Sequence, residues 1–292
     1  MQVPASFEFE RAESVGHALE LLERYGPEAR LVAGGHSLIP MMKLRLAQPD
    51  ALIDINGLAE LSHLAVAGDT LVIGALVRHA ALLADPDVGR YFPIFHEAER
   101  VIADPVVRNR GTVGGSLCQA DPSEDLSAAF AAVRADAVIA GPGGSRTVSI
   151  RDFHVGPYET VVEPGEILTE LRVPIRPGAG SAYVKVERRV GDWPVAAAGA
   201  YLRLGPGGVI AEAGLGLTAV GAEHFTAPEA EAYLIGKEPG EAVLREAGRI
   251  AAESCEPQAD QRGPVDYKRH LAGELTFRAL SRAAARADGS QS

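Results

Sequence analysis

Residues 31–45 read LVAGGHSLIPMMKLR. The apolar residues at 31–33 predict a short strand that stops at the glycine pair, and residues 37–46 predict a helix whose first turn tolerates Pro40. Glycines let main-chain N–H groups approach an anion closely, and the start of a helix offers further free N–H groups. Gly34 and Gly35 are therefore candidates for a phosphate-binding turn, with the Ser37 hydroxyl as another donor. Taken alone, such a pair is more often an ordinary turn.

A second glycine pair lies in residues 110–116, which read RGTVGGS. The Thr112 hydroxyl can donate a hydrogen bond to a phosphate, and the glycines again permit close approach of the main chain. Two such loops brought together would clamp a pyrophosphate from both sides without a cationic side chain. This pair, too, is more often a simple turn when considered alone.

An acidic run follows at 121–125 and reads DPSED. One interpretation is a helix N-cap, with Ser123 or Asp125 as the capping residue. The other is a carboxylate that bonds to the hydroxyls of a ligand, such as a ribityl chain or a ribose. Spacing alone favours the cap.

The composition restricts the class of protein. The 292 residues predict about two domains, and an apolar content of 47% is that of a globular chain. The net charge of −11 makes nucleic acid a poor partner. Cys118 and Cys255 lie far apart, which argues against zinc or iron–sulfur sites built from this chain's cysteines and against a secreted disulfide scaffold. No secretory signal or membrane span is visible, so we expect a soluble, cytoplasmic protein.

Several common catalytic motifs are absent from the sequence. It contains no GxxxxGKS/T phosphate loop, no HExxH metal motif and no GxSxG nucleophile elbow. A relaxed dinucleotide-binding pattern, GLGLTA, occupies residues 214–219. It falls inside a predicted strand and no helix opens at its second glycine, so we do not expect it to bind a nucleotide.

A cluster of prolines and glycines at 174–180 predicts a domain boundary. Before it, strands and helices alternate with two hairpins at 64–73 and 137–150, and a loop is expected at 103–110. The tail at 288–292 is expected to be disordered. After the boundary, the pattern predicts a three-stranded antiparallel meander and then three helices, at 182–188, 195–204, 209–217, 228–234, 241–253 and 267–285.

Together these stretches resemble a known family. The runs at 31–45 and 110–116 closely resemble the two FAD-binding loops of the medium, flavin-carrying subunits of molybdenum hydroxylases. Residues 165–168 with Val173-Pro174, and residues 185–188 with Gly191 and Asp192, resemble two further stretches of that family. The likeness covers nearly the whole chain in order and spacing, and it is greatest for the aerobic carbon monoxide dehydrogenase branch.

The resemblance implies an α+β fold in two parts. Residues 1–176 would form a FAD-binding domain of the vanillyl-alcohol-oxidase (PCMH) type, with subdomains at about 1–57 and 58–176. Residues 181–287 would form a smaller C-terminal flavoprotein domain with a three-stranded antiparallel sheet and helices. The meander and helices predicted from the residues agree with the second part.

The resemblance also assigns cofactor-binding residues. Asp125 would contact flavin sugar-alcohol or ribose hydroxyls, and Leu168 and Lys185 match positions near the cofactor. Trp193 matches an aromatic residue beside the isoalloxazine, unless it is a core residue that packs the meander. The residues that would enclose the pyrophosphate are Val32, Ala33, Gly34, Gly35, His36, Ser37 and Leu38 in the first loop, and Thr112, Gly114, Gly115 and Ser116 in the second.

Two positions depart from the family pattern. Ser116 stands where many members have Asn or Asp, and Leu126-Ser127 replace a proline that is common shortly after the acidic residue. Neither change removes a phosphate donor.

The implied function is electron transfer, with no catalytic residue and no metal ligand in this chain. Electrons would arrive from the [2Fe–2S] clusters of a small subunit, after substrate oxidation at the molybdenum cofactor of a large one, and would leave for a quinone or NAD. The complex would be a dimer of heterotrimers, which can associate with the inner face of the cell membrane. Carbon monoxide is the favoured substrate. The alternatives are a xanthine or N-heterocycle dehydrogenase, a free-standing oxidase with flavin covalently bound at His36, and a scaffold subunit that has lost FAD.

Overall fold

The computed structural model describes residues 3–288, so all of the tail predicted to be disordered at 288–292 except Asp288 lies outside the described residues. The first subdomain consists of β1 (Glu8–Arg11), α1 (Val15–Tyr25), β2 (Ala29–Val32), α2 (Leu38–Lys43) and β3 (Ala51–Asp54). Its three strands form a parallel sheet in the order β1–β3–β2. Because parallel strands all point the same way, the chain leaves β2 at one edge of this sheet, where the first glycine pair lies.

The second subdomain is built on an antiparallel sheet in which the strands follow a different order from the sequence. Its elements are β4 (Leu64–Ala67), β5 (Thr70–Gly74), α3 (His79–Ala84), α4 (Pro86–Tyr91), α5 (Pro93–Val101), α6 (Pro105–Arg110), α7 (Val113–Gln119), α8 (Asp125–Ala132), β6 (Asp136–Gly141), β7 (Gly144–Ser149), β8 (His154–Gly156), β9 (Glu159–Thr160) and β10 (Ile167–Pro174). The sheet runs β4–β5–β10–β6–β7, and β8 pairs with β9 separately. Both predicted hairpins, β4–β5 and β6–β7, are present.

The C-terminal domain contains the predicted meander and helices. Its elements are β11 (Ala179–Glu187), β12 (Pro194–Leu204), β13 (Ile210–Thr218), α9 (Pro228–Leu234), α10 (Glu241–Glu253) and α11 (Val265–Ala287). The strands pair antiparallel in the order β11–β12–β13. Helix α11 packs on β11 and β12, and α10 packs on α11. The α+β fold class is confirmed.

The C-terminal sheet is buried on both faces. Alternate residues of β12 enter two different cores: Ala197 and Tyr201 join the core of the second subdomain, whereas Ala196 and Ala198 join the core beneath α10 and α11. Burial on both faces explains why β12 is apolar along most of its length, without the polar alternation of a half-exposed strand. The two domains therefore share a core.

Helix α8 lies between the second subdomain and the C-terminal sheet, and all of its residues are buried. The close approach of α8 to β13 explains why glycines recur in the GLGLTA pattern. A Cβ atom on Gly214 would overlap the carbonyl oxygen of Ala132, and one on Gly216 would overlap that of Ala128. As predicted, this pattern lies within a strand, and its glycines make room for a helix.

Three short helices were not predicted, and the expected loop at 103–110 is wrong over most of its length. Helix α6 begins after Asp104, whose Oδ1 accepts the N–H of Val107 at 2.8 Å, and Pro105 occupies its first turn. Asp85 caps α4 and Thr112 caps α7 in the same manner. An N-cap residue followed by proline is a sequence signal for a helix start, and it was present at Asp85 and at Asp104.

We expect Gly216→Ala to destabilise the protein by about 1–3 kcal/mol, because the added methyl group forces α8 away from β13. Denaturant unfolding of the purified chain measures the change. Gly89→Ala is the control: Gly89 lies in α4 with nothing within 4 Å of its Cβ position. That change should leave stability unaltered or raise it by roughly 0.5–1 kcal/mol. Equal effects at the two positions would contradict the close contact of α8 with the sheet.

Candidate cofactor site

The two glycine loops meet through bare main chain. Gly34 lies between β2 and α2, and Gly111 lies between α6 and α7. A Cβ atom on Gly34 would lie 2.5 Å from the carbonyl oxygen of Arg110 and 2.8 Å from the Cα of Gly111. No side chain fits at this contact, so glycine is required for the two loops to touch.

Two polar side chains hold the loops together. Asn56 follows β3 and donates through Nδ2 to the carbonyl oxygen of Ala33 at 2.6 Å. Arg78 precedes α3 and donates to Asn56 Oδ1 at 2.8 Å and to the carbonyl oxygen of Arg110. Through these bonds the first loop is tied to the second subdomain.

The first loop presents consecutive free main-chain donors. Among the described residues, none accepts a hydrogen bond from the N–H groups of residues 34–38. Gly35 has φ of +79°, in the left-handed region that glycine adopts without strain. Successive free N–H groups in such a turn form a concavity that binds anions. The donors expected of a phosphate-binding turn are therefore present.

The second loop differs from the sequence-based expectation of free N–H groups. Thr112 Oγ1 accepts the N–H of Gly115 at 3.2 Å, and the Gly114 N–H donates to the carbonyl oxygen of Ala75 at 2.9 Å. The N–H of Ser116 donates to the Thr112 carbonyl oxygen at 3.0 Å. These amides are satisfied within the fold because the pair lies in the first turn of α7. What the second loop offers to a ligand is close approach, the hydroxyl proton of Thr112 and the Thr112 N–H, which has no acceptor among the described residues.

Between the loops lies a cavity of about 660 Å³ that extends toward the C-terminal domain. Every residue that the sequence analysis assigned to the cofactor lines it. From the first loop these are Val32, Ala33, Gly34, Gly35, His36, Ser37 and Leu38; from the second loop and beyond they are Thr112, Gly114, Gly115, Ser116, Asp125, Leu168, Lys185 and Trp193. Their binding of FAD remains a prediction.

Asp125 belongs to a buried ionic cluster that joins the two domains. Its Oδ2 accepts a hydrogen bond from Lys185 Nζ at 2.9 Å, and its Oδ1 accepts one from the Tyr183 hydroxyl at 2.7 Å. Tyr183 and Lys185 lie on β11 of the C-terminal domain. Burial raises the pKa of Asp125 to about 6 although Lys185 and Tyr183 favour its charged form, and burial also raises the pKa of Tyr183. Both carboxylate oxygens therefore have protein partners at the cavity wall.

The cap of α8 is Glu124, so the assignment of Ser123 or Asp125 as the capping residue is wrong. The Glu124 carboxylate accepts the N–H groups of Leu126 and Ser127. It also accepts the Ser116 hydroxyl at 2.6 Å. The proton of that hydroxyl is therefore directed at Glu124, and Ser116 faces the cavity as an acceptor.

Trp193 lies in the connection between β11 and β12, and 45% of its surface is exposed. It is therefore not a core residue of the meander. His36 is exposed on the first loop, and Leu168 is buried at the start of β10. The aromatic ring, the loop histidine and the leucine all contribute to the wall of the cavity.

His79, which was not predicted as a site residue, also lies on the cavity wall. His79 begins α3, and its Nδ1 lies 2.9 Å from Oε1 of Glu99 on α5. His79 is 4% exposed and Glu99 is fully buried. No motif marks either residue, because the two come together only when α3 packs on α5. A lone histidine after a strand has no sequence signal for such a partner.

Within residues 3–288, no group of three His, Cys, Asp or Glu side chains is arranged to hold a metal ion. No helix in the same part of the chain is long and apolar enough to cross a membrane.

Two family models together cover almost the whole chain. Residues 5–176 match the model described as the FAD binding domain in molybdopterin dehydrogenase. Residues 181–283 match the CO dehydrogenase flavoprotein C-terminal domain.

Curated and solved relatives match over almost their full length. The chain is 41% identical to the carbon monoxide dehydrogenase medium chain of Hydrogenophaga pseudoflava over 97% of this chain and 99% of the relative. It is 36% identical to the glyceraldehyde dehydrogenase medium chain of Sulfolobus acidocaldarius over 96% and 99%. The solved carbon monoxide dehydrogenase from H. pseudoflava, which lacks the Mo-pyranopterin moiety, superimposes with a TM-score of 0.92 at 43% identity, covering 97% of this chain and 99% of that chain.

We expect the stability of the wild-type chain to fall relative to that of Asp125→Asn as pH rises from about 4 to about 6. Over this interval Asp125 ionises in the unfolded chain, where its pKa is near 3.8, but stays protonated in the folded chain, where its pKa is about 6. The free energy of unfolding falls by at most about 3 kcal/mol, and the fall is complete above the pKa of Asp125 in the folded chain. Denaturant midpoints measured at several pH values test it.

The exposed Asp69→Asn is the control and should retain the wild-type profile. If the stability of wild type and of Asp125→Asn changed in parallel with pH, burial would not raise the pKa of this carboxyl group in the folded chain.

Proposed function

The chain belongs to the FAD-binding medium subunits of the molybdenum hydroxylases, and we propose that it is the electron-transfer subunit of an aerobic carbon monoxide dehydrogenase. The observation that carries this proposal is the cavity in which two glycine loops meet through main chain alone. The similarity to the carbon monoxide dehydrogenase medium chain over nearly the full length of both chains supports the choice of branch.

The donor set of the cavity fits FAD. The free N–H groups of residues 34–38 suit the pyrophosphate oxygens, and the Thr112 hydroxyl can donate from the opposite loop. These donors are neutral, so no lysine or arginine needs to enter the cradle. Any side chain on Gly34 would fill the space that the main chain of the two loops occupies.

When bound, FAD accepts two electrons and can release them one at a time, while the protein supplies binding and orientation. The residues of this chain accordingly need to hold the nucleotide and shape its surroundings. Trp193 and Leu168 offer apolar surface, and the Asp125–Lys185 pair places fixed charges at the wall. No residue of the cavity is required to act as an acid or a nucleophile.

The proposed partners are a large molybdenum subunit and a small subunit with two [2Fe–2S] clusters, assembled as a dimer of heterotrimers in the cytoplasm. This chain would receive electrons from the small subunit and deliver them to a quinone or NAD. The relatives support this separation of electron transfer from substrate oxidation. Medium chains similar in sequence to this one over nearly their full length belong to a carbon monoxide dehydrogenase and to a glyceraldehyde dehydrogenase. Substrate choice would therefore reside on another polypeptide. A xanthine or N-heterocycle dehydrogenase is the second candidate, because FAD-binding subunits of xanthine dehydrogenases also match.

The complex purified through this chain should contain stoichiometric FAD and should oxidise carbon monoxide in the presence of a quinone or NAD. Absorbance spectra and acceptor reduction measure the two properties. Oxidation of xanthine or an N-heterocycle without oxidation of carbon monoxide would favour the second candidate. Acid precipitation adds a further test: flavin should stay in the supernatant, whereas flavin in the protein pellet would indicate a covalent link at His36. A colourless complex would contradict the proposal.

We expect Gly115→Val to lower the FAD content of the purified chain at least tenfold. Its Cβ would lie 2.7 Å from Thr112 Oγ1, so the side chain displaces the cap and projects at the cavity wall. Flavin absorbance relative to protein gives the content, and circular dichroism checks the fold.

The matched control is Gly143→Val, in the β6–β7 turn, where nothing lies within 4 Å of the Cβ position. It should retain FAD. Full flavin content in a folded Gly115→Val chain would show that the second loop does not contact the cofactor.

A further inference from the structure

One nitrogen of the buried His79 ring has no hydrogen-bond partner within residues 3–288. Nδ1 faces Glu99, with Oε1 at 2.9 Å and Oε2 at 3.1 Å, and the side chain is only 6% exposed. Among the described residues, none hydrogen-bonds to Nε2. Nε2 is not among the fully buried unpaired side-chain atoms of the described residues, so it is accessible, and a ligand can supply its hydrogen-bond partner.

The position of the ring shows where that partner would lie. A Cβ atom on Gly111 would lie 2.7 Å from Cδ2 and 3.1 Å from Nε2 of His79. The edge of the ring that carries Nε2 therefore faces the second loop, at the glycine that also contacts Gly34. His79 lines the cavity and its unpaired Nε2 is not a fully buried atom, so this edge is open to the space between the loops.

Charged groups on three elements act on the His79 ring. Burial alone would lower the pKa of His79, but Glu99 on α5 outweighs burial and raises it above the usual value. Glu124, the cap of α8, acts in the same direction, and Arg108 on α6 opposes it. The carboxylate of Glu99 thus keeps a proton on Nδ1 and favours a second proton on Nε2.

We propose that His79 contacts the bound cofactor, donating a hydrogen bond from Nε2 to an oxygen of FAD, and that Glu99 is a positioning residue that orients the ring. This inference rests on the proposed function, since it needs FAD in the cavity. The acceptor is either a diphosphate oxygen or an oxygen of the flavin portion, because both would lie along the same cavity.

A consequence follows for the pH dependence of FAD binding. Below the pKa of His79 in the folded chain, Nε2 carries a proton and donates a hydrogen bond to the ligand. As pH rises through that value, Nε2 becomes an acceptor that faces the oxygen of the ligand, and FAD affinity falls. In Glu99→Gln the amide oxygen can still accept from Nδ1, but the negative charge is gone. The pKa of His79 then falls, and the loss of FAD affinity should move to lower pH.

The test measures the dissociation constants of FAD and of ADP for the full 292-residue chain across pH, by flavin fluorescence and by calorimetry. His79→Phe should weaken FAD binding roughly 10- to 100-fold, as expected for loss of a charge-assisted hydrogen bond. Equal weakening for ADP assigns the contact to the diphosphate, and weakening for FAD alone assigns it to the flavin portion. Glu99→Gln, which keeps the ring, should shift the pH profile even if His79→Phe fails to fold.

The control is His63→Phe, since His63 also pairs with a glutamate, Glu170 at 3.1 Å, but in an exposed position outside the cavity lining. It should leave both affinities and the pH profile unchanged. If the wild-type chain binds no FAD, the proposed function itself fails. If it binds FAD and Glu99→Gln leaves affinity and pH profile unaltered, only the role of His79 and Glu99 is overturned.

Discussion

The site depends on a contact between two pieces of main chain, Gly34 in the first subdomain and Gly111 in the second. Since no side chain fits at the contact, the separation of the loops is set by the backbones themselves. The Asn56–Arg78 bridge fastens the same two loops from the side. A binding wall built in this way has few rotatable bonds, so little conformational entropy is lost when a ligand is held there.

The loops contribute in different ways. The first supplies unused N–H groups, whereas in the second the N–H groups of Gly115 and Gly114 already donate to the Thr112 side chain and to the Ala75 carbonyl oxygen. An anion in the cavity would therefore receive most of its hydrogen bonds from the first loop, and the second loop would mainly pack against it. The proposed role of His79, whose ring edge faces Gly111, would add a hydrogen-bond donor on the side of the second loop.

The residues of the first loop and the meander could be predicted because their signals are local. A glycine pair after a strand, and alternating turns and apolar runs, need no knowledge of the rest of the chain. The helix starts at Asp85 and Asp104 also have a local signal, an N-cap residue followed by proline. They were not predicted because each helix is short and has few apolar positions. The His79–Glu99 and Asn56–Arg78 pairs were beyond prediction because packing alone brings their partners together. The hydrogen bond of the Gly114 N–H could not be predicted for the same reason, because its acceptor, the Ala75 carbonyl oxygen, lies on the segment after β5.

Asp125 comes from the first domain, but Lys185, which pairs with its charge, and Tyr183, which donates a hydrogen bond to it, come from the second. Lys185 is 60 residues distant in sequence, and each member is costly to bury without the others. A substitution at any one of the three positions therefore leaves a buried charge or hydroxyl group without its partner. A chimera that takes one domain from a paralogue keeps this interdomain contact only where both parents carry all three residues.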